Sequence, residues 1–158
     1  MAFPKIGNIA PAFTLLDQDG NKVSLRDFRD KSNVVLYFYP KAMTPGCTTQ
    51  ACGIRDSKAA FKKAKTVVLG VSPDPVARLG KFIAKEDLNF TLLSDEDHAI
   101  TEKYGCWGLK KFMGRESMGV LRTSFIIGKD GRLKHIMDKV KTKTHHDDVL
   151  EKIKELGL

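Results

Sequence analysis

Val34-Val-Leu-Tyr-Phe-Tyr39, followed by Pro40-Lys-Ala-Met-Thr44-Pro45-Gly46-Cys47-Thr-Thr-Gln-Ala-Cys52, is the stretch that decides how this chain folds. Its first part is apolar and β-rich without alternation, the pattern of a central strand covered on both faces. Pro40 ends the run, because proline cannot continue a hydrogen-bonded ladder. Thr44-Pro45 then opens a helix, with proline at an early position where its missing N–H costs nothing. Ala51, Ile54, Phe61 and Ala64 fall on one face of that helix. In open α/β sheets, ligands bind where the carboxyl end of a strand hands over to a helix.

Outward from this stretch the elements alternate. Towards the N-terminus, Phe13 to Asp17 and Lys22 to Leu25 flank an Asp19-Gly20 turn and read as a β-hairpin. Leu25 to Phe28 reads as a short helical turn. Towards the C-terminus, Val67 to Val71 is a second buried strand. Asp74-Pro75 then supplies an N-cap and an N1 proline for a helix with Val76, Leu79, Phe82 and Ile83 inward. Phe90 to Leu93 is a short strand, and Asp95 caps a helix through Ile100 and Tyr104 that Gly105 stops. Residues 106 to 118 read as irregular. Ser124 to Ile127 and Leu133 to Met137 form a hairpin about Lys129-Asp-Gly. Thr144 and Asp147 resemble a capping box for a last helix that buries Val149, Leu150, Ile153 and Leu156. The βαβ portion requires parallel neighbours and the last hairpin is antiparallel. The expected architecture is therefore α/β, with a mixed central β-sheet flanked by helices and an N-terminal β-hairpin. It is compatible with a thioredoxin-like fold, and periodicity alone also allows other small α/β arrangements.

The 158 residues match the usual size of one domain, taken here as 1–158. The formal charge is +8, but basic and acidic residues are mixed along the chain, as in Lys85-Glu86-Asp87. That distribution reads as solubility with some steering of anionic partners, not as a nucleic-acid interface. Met1 to Asn8 contains no apolar signal core, and the longest apolar run is far shorter than the ~20 residues a membrane span needs. A soluble, cytoplasmic protein is expected. Three cysteines, Cys47, Cys52 and Cys106, do not make a secreted disulfide framework. Cys47 and Cys52, with four residues between them, have poor spacing for zinc and no second ligand pair follows, and adjacent His145 and His146 do not share a helix face, so no metal is expected. No phosphate loop, haem motif or flavin fingerprint is present, and no cofactor is expected.

Cys47 lies in the first turn of the expected helix. Free backbone N–H groups and the positive end of the helix dipole favour an anion there, so the thiol there is expected to ionise readily. A thiolate can displace a peroxide oxygen and become a sulfenic acid. Thr44, three residues earlier, could place a hydroxyl beside sulfur and substrate, while Pro40 and Pro45 stiffen the loop. On these residues alone, Cys47 as a buried apolar cysteine behind a simple threonine cap is an equally good reading.

The wider pattern resolves this. Pro40-x-x-x-Thr44-x-x-Cys47 is similar to the signature of peroxiredoxins, and Thr-Pro-Gly-Cys-Thr-x-x-Ala-Cys with Arg55-Asp56 resembles the bacterioferritin comigratory protein or PrxQ subfamily. Ile9-Ala-Pro-x-Phe-x-Leu-x-Asp-x-x-Gly20, Asn89 to Asp95, Tyr104-Gly-x-Trp-Gly108 and Arg122 to Ile127 extend the resemblance over nearly the whole chain. It implies a thioredoxin-like fold and a peroxidase acting on hydrogen peroxide and alkyl hydroperoxides. It also implies that Cys47 is the peroxidatic cysteine, Thr44 a hydrogen-bonding group for the peroxide, and Arg122 the guanidinium beside the thiolate. Pro40, Pro45 and Gly46 belong to the implied pocket. Residue type alone does not distinguish Arg122 from Arg55 or Arg115. Ala42, Gln50 and Gly128 depart from residues common in the family; none removes a required group.

Cys52 follows Cys47 by five positions, which on one ideal helix separates the Cα atoms by roughly 8.6 Å. A disulfide needs about 4.4 to 6.8 Å. The pair closes only if the helix start unwinds; otherwise Cys52 is not the resolving cysteine. The resemblance favours unwinding, an intramolecular disulfide, and its reduction by thioredoxin or a similar dithiol protein. Cys106 reads as a packing thiol and the second candidate resolver. The resemblance leans towards a monomer or weak dimer. Two other functions fit less well: a general thiol–disulfide oxidoreductase, which usually carries Cys-x-x-Cys and has no use for Thr44, and a non-catalytic redox sensor.

Overall fold

The computed structural model describes residues 2–158, with every side chain but that of Phe112. Asn33–Phe38 (β3) is buried along its whole length, as its unalternated pattern requires. It pairs in parallel with Thr66–Ser72 (β4), which pairs in parallel with Thr91–Ser94 (β5). Thr123–Ile127 (β8) lies antiparallel on the other side of β3, with Leu133–Met137 (β9) beyond it. The hairpin of Thr14–Asp17 (β1) and Lys22–Ser24 (β2) joins β5 at the far edge. The seven-stranded order is β2-β1-β5-β4-β3-β8-β9. Helices Pro45–Asp56 (α1), Lys58–Lys63 (α2), Val76–Glu86 (α3), Ala99–Lys103 (α4) and His145–Glu155 (α5) complete a thioredoxin-like arrangement. Among the described residues no helix is long and apolar enough to cross a membrane.

The two-residue period of β3 divides the interior. Val35 and Tyr37 face α1, α3 and α5, where they meet Cys47, Ala51, Ile54, Leu79, Phe82, Val149 and Ile153. Val34, Leu36 and Phe38 face the other way, towards Phe13, Leu25, Tyr104, Cys106 and Phe125. Cys47 and Cys106 thus lie in separate cores on opposite faces of one sheet.

Several expectations give way to tertiary context. Residues 106 to 118 are not irregular: Trp107–Phe112 (β6) and Arg115–Val120 (β7) form a two-stranded antiparallel ribbon outside the main sheet. Most of β7 is exposed on both faces, so no alternation of apolar and polar residues marks it. Its tight turn uses Met113 at φ 51° and Gly114 at φ 80°, the positive pair that two-residue hairpin loops need. The helix expected through Ala64 breaks at Ser57 into α1 and α2. Pro75, not Asp74, occupies the cap position of α3. His98, at φ 50°, precedes α4, while Asp95 reaches past it to accept from the Ile100 and Thr101 amides at 3.3 and 2.8 Å. Thr144 does precede α5, but its hydroxyl donates to Asp148 at 2.8 Å and forms no box with Asp147. Leu156, past the last turn, is exposed.

Candidate active site

β3 delivers the chain to Tyr39, whose N–H still donates to Val71 O at 3.0 Å. The loop then turns through Ala42 and Met43 to reach α1. Met43 has φ 66°, an uncommon backbone conformation for a side chain of its size. The loop holds this shape because α3 braces it. The Ala42 N–H donates to Asp74 Oδ2 at 2.7 Å, and the Ala42 carbonyl accepts from Arg78 Nη2 at 3.0 Å. Asp74 is buried, also accepts the Ser72 hydroxyl at 2.7 Å, and pairs with Arg78 Nε at 3.2 Å. Asp74 is therefore diverted from helix capping to loop anchoring, a role that residue spacing does not disclose.

Thr44 occupies the cap position of α1 with extended backbone, and its carbonyl accepts from Thr48 N–H at 2.9 Å. Its hydroxyl caps no helix amide. It donates to Lys41 O at 3.0 Å, leaving its lone pairs available as acceptors. Pro45 and Gly46 form the first turn with Cys47. The amides of Gly46 and Cys47 have no intrahelical carbonyl within reach at that position, so an anion on Cys47 sits in the positive end of the helix dipole.

Cys47 is buried, and Arg122 Nη2 lies 3.1 Å from its sulfur. The guanidinium comes from the residue just before β8, so the strand beside β3 carries the charge to the end of α1. Gly46 makes room for it: a Cβ there would stand 3.2 Å from Arg122 Nη2. The other nitrogen, Nη1, donates to Gln50 Oε1 at 2.9 Å. The remaining candidates stand elsewhere. Arg55, at the far end of α1, is bound to Asp56 and to the Glu86 carbonyl. Arg115 is exposed on β7. An open depression lined by Arg122, Lys141 and Thr142 lies against the guanidinium. The structure thus brings Cys47 and Arg122 into contact, places Thr44, Pro45 and Gly46 at the same helix start, and keeps Pro40 in the connecting loop.

Cys52 is in the body of α1, which is helical throughout, and neither it nor Cys47 is in a disulfide. Burial pushes the Cys52 thiol up, Arg55 opposes the shift, and Glu86 and Asp56 add to it. Cys106 is fully buried, with Sγ 3.6 Å from the Tyr104 carbonyl. Burial pushes its thiol up to about 12, against a smaller opposing effect of Thr123.

Two further groups act on the site: His145, which the sequence brought up only as a metal-ligand candidate, and Lys110, which it did not single out. His145, the first residue of α5, is buried with Nδ1 3.2 Å from Gln50 Nε2 and Nε2 2.6 Å from Ser124 Oγ. Burial pushes its imidazole down to about 4, with Asp148 opposing and with His146 and Arg122 adding to the shift. Lys110, on the ribbon, has its ammonium held below the usual lysine range by burial and then by Arg122, with Cys47 acting in the opposite direction. No periodicity marks either residue. The only available signal was a histidine at a helix start, a position more often solvated. Among the described residues no group of three or more His, Cys, Asp or Glu side chains is arranged to hold a metal ion.

The profile of the AhpC/TSA family matches residues 6–136. The chain is 55% identical over 151 residues to peroxiredoxin Bcp of Escherichia coli K12, covering 96% of each chain. It is 45% identical over 153 residues to peroxiredoxin Bcp of Bacillus subtilis 168, covering 97% of each. Among solved structures, a bacterioferritin comigratory protein of Xanthomonas campestris, described for its alkyl peroxide reduction, superposes with a TM-score of 0.85 at 33% identity over 90% of each chain. A cysteine-to-serine variant of Xylella fastidiosa PrxQ superposes with a TM-score of 0.92 at 28% identity over the whole of both chains.

Proposed function

The chain belongs to the AhpC/TSA family and is a peroxiredoxin, a thiol-dependent peroxidase, and from that premise we propose that Cys47 is its peroxidatic cysteine and Cys52 its resolving cysteine. The observation that carries the assignment is the Arg122 guanidinium 3.1 Å from the Cys47 sulfur at the first turn of α1. A fixed cation and unpaired helix amides stabilise the thiolate together, and both are in place before the substrate arrives.

The Cys47 thiolate attacks the terminal oxygen of a hydroperoxide. An S–O bond forms as the O–O bond breaks, and the departing oxygen leaves as alkoxide, or as hydroxide from hydrogen peroxide, and takes a proton from solvent to give the alcohol or water. Sulfur is oxidised to the sulfenic acid and the peroxide is reduced. Thr44 accepts the hydroperoxide O–H, since its own proton is engaged by Lys41 O. Arg122 stabilises the charge that develops on the oxygens. Pro40, Pro45 and Gly46 shape the pocket: the prolines limit loop motion and the glycine leaves space for the guanidinium.

The second step requires α1 to open. With the helix formed, five positions separate the two Cα atoms by roughly 8.6 Å, beyond the about 6.8 Å that a disulfide allows. Unwinding the first turns lets Cys52 attack the Cys47 sulfur, releasing water and closing the disulfide. The raised Cys52 thiol belongs to the closed helix, and solvation on opening frees it to ionise. Cys106 is in the opposite core, with the sheet between it and Cys47, which argues against its use as resolver. A dithiol protein of the thioredoxin type then reduces the exposed disulfide by exchange. The reading extends to a single domain over residues 1–158, a cytoplasmic location, and a monomer or weak dimer.

The test is hydrogen peroxide consumption in the presence of thioredoxin, its reductase and NADPH, with a mass-spectrometric disulfide map of the oxidised protein. A Cys47–Cys52 bridge, and loss of thioredoxin-driven recycling with retained first-turnover oxidation in Cys52→Ser, are expected. A Cys47–Cys106 bridge would overturn the resolver. Turnover of protein disulfides without peroxide loss would point to a general oxidoreductase, and a single stoichiometric oxidation to a sensor.

A further inference from the structure

We propose that His145 is a positioning residue for the peroxidatic site: as a neutral imidazole with its proton on Nε2, it locks the Gln50 amide so that the Gln50 carbonyl holds Arg122 against Cys47. The inference rests on the reading of Cys47 and Arg122 given above.

The hydrogen-bond inventory forces the polarity of each link. A guanidinium has donors and no acceptor, so the Gln50 atom that meets Arg122 Nη1 at 2.9 Å is the carbonyl oxygen. The other end of the amide is then NH2, and it faces His145 Nδ1 at 3.2 Å. Two donors cannot pair, so Nδ1 carries a lone pair and the ring proton lies on Nε2. That N–H donates to Ser124 Oγ at 2.6 Å. Ser124 is in β8, two residues after Arg122, so the hydrogen-bond path that leaves this strand end at one residue returns to it at another.

The path is dry: Gln50 and His145 are each 1% exposed and Ser124 is 0% exposed. Water cannot substitute for a missing partner there, and a reversed Gln50 amide would present NH2 to the guanidinium. The seat for His145 is also built. The next residue, His146, packs directly over Gly53 of α1, where any Cβ would collide with its ring. The start of α5 is thereby pressed onto the helix that carries Cys47. Burial, which holds His145 neutral down to about pH 4, keeps Nδ1 an acceptor at neutral pH. Gln50 lies between the two cysteines, so unwinding α1 for disulfide closure also breaks its bonds to His145 and Arg122. The lock acts on the folded, peroxide-reactive form and not on the opened one.

The first measurement is 15N NMR of the His145 imidazole in the reduced protein at neutral pH. An Nε2–H tautomer is expected; an Nδ1–H tautomer or a doubly protonated ring overturns the proposal without the need for any variant. The second is the rate constant for Cys47 oxidation by hydrogen peroxide in His145→Leu and His145→Asn. His145→Leu should be slower by about tenfold, the value of one neutral hydrogen bond expressed at the transition state. His145→Asn, whose side-chain oxygen can stand in for Nδ1, should recover most of the rate, and reduction of the oxidised enzyme by dithiol should keep its wild-type rate in both. Folded variants with equal oxidation rates to each other, or to the wild type, overturn the positioning role. Cys47→Ser separates this from the underlying reading. If it still consumes peroxide with dithiol present, the site assignment fails; if it is inert while His145→Leu reacts normally, only the positioning inference fails.

Discussion

Cys47 and Cys106 are almost equally buried, at 2% and 0% exposure, and the same β-sheet separates them. Their surroundings differ in what the sulfur meets. Cys47 faces a guanidinium at 3.1 Å and the start of a twelve-residue helix. Cys106 faces a backbone carbonyl at 3.6 Å and aromatic packing, and burial pushes its thiol up to about 12. Desolvation alone disfavours a thiolate. A buried cysteine becomes a nucleophile when a fixed positive partner outweighs that penalty, and is otherwise a small apolar side chain.

The strongest way to break this contrast is to exchange sulfur for oxygen at each position. Cys47→Ser is expected to abolish peroxide turnover and Cys106→Ser to leave it unchanged, measured as NADPH consumption with the dithiol system. Loss of turnover in a folded Cys106→Ser would end the division of roles between the two cores. Next in size is removal of the partner. Arg122→Met, of similar length without charge, should slow Cys47 oxidation on the order of 10² to 10³-fold, as loss of an oxyanion donor does elsewhere. A wild-type rate in stopped flow would mean that helix amides suffice.

The third concerns the polar network behind Cys47, in which His145 links Gln50 to Ser124. The His145 imidazole falls from its usual 6.5 to about 4 on folding. Between those values the unfolded chain binds the proton and the folded one does not, so stability is complete above about pH 6.5 and declines as pH falls towards 4. The loss approaches about 3 kcal/mol, from 1.36 kcal/mol per pKa unit. Urea titrations across this range should show a slope that His145→Asn flattens, whereas a slope unchanged by the substitution would mean other groups carry it. The smallest effect is at Cys106 itself. Cys106→Ala removes only packing and should lower stability by about 1 kcal/mol, read as a change in urea midpoint at constant m, with the peroxidase rate unaffected.

What could be read from the sequence divides along the same line. The strand before Cys47, the helix start around Thr44 to Gly46, and both hairpins of the main sheet follow from local patterns, and the structure contains them. The β6–β7 ribbon escaped because its exposed residues carry no alternation and its turn begins with methionine. Asp74 looked like a helix cap because Asp-Pro is a good start signal; the buried Ala42 amide, thirty-two residues away in sequence, outweighed it. Arg122 was distinguishable from Arg55 and Arg115 only through family resemblance.

By itself the sequence determined the order of elements, the place of Cys47 at a helix start, and the five-residue interval that Cys47 and Cys52 could bridge only with the helix opened. These depend on turn chemistry, side-chain period and the fixed rise of a helix, all set by neighbours along the chain. Only the tertiary structure decided which guanidinium meets the sulfur, which face of the sheet holds Cys106, and which histidine nitrogen accepts. Those contacts join residues 72, 75 and 95 positions apart. No local pattern encodes such a distance; it exists once strand pairing and helix packing have brought the ends of β3, β8, α1 and α5 to one place.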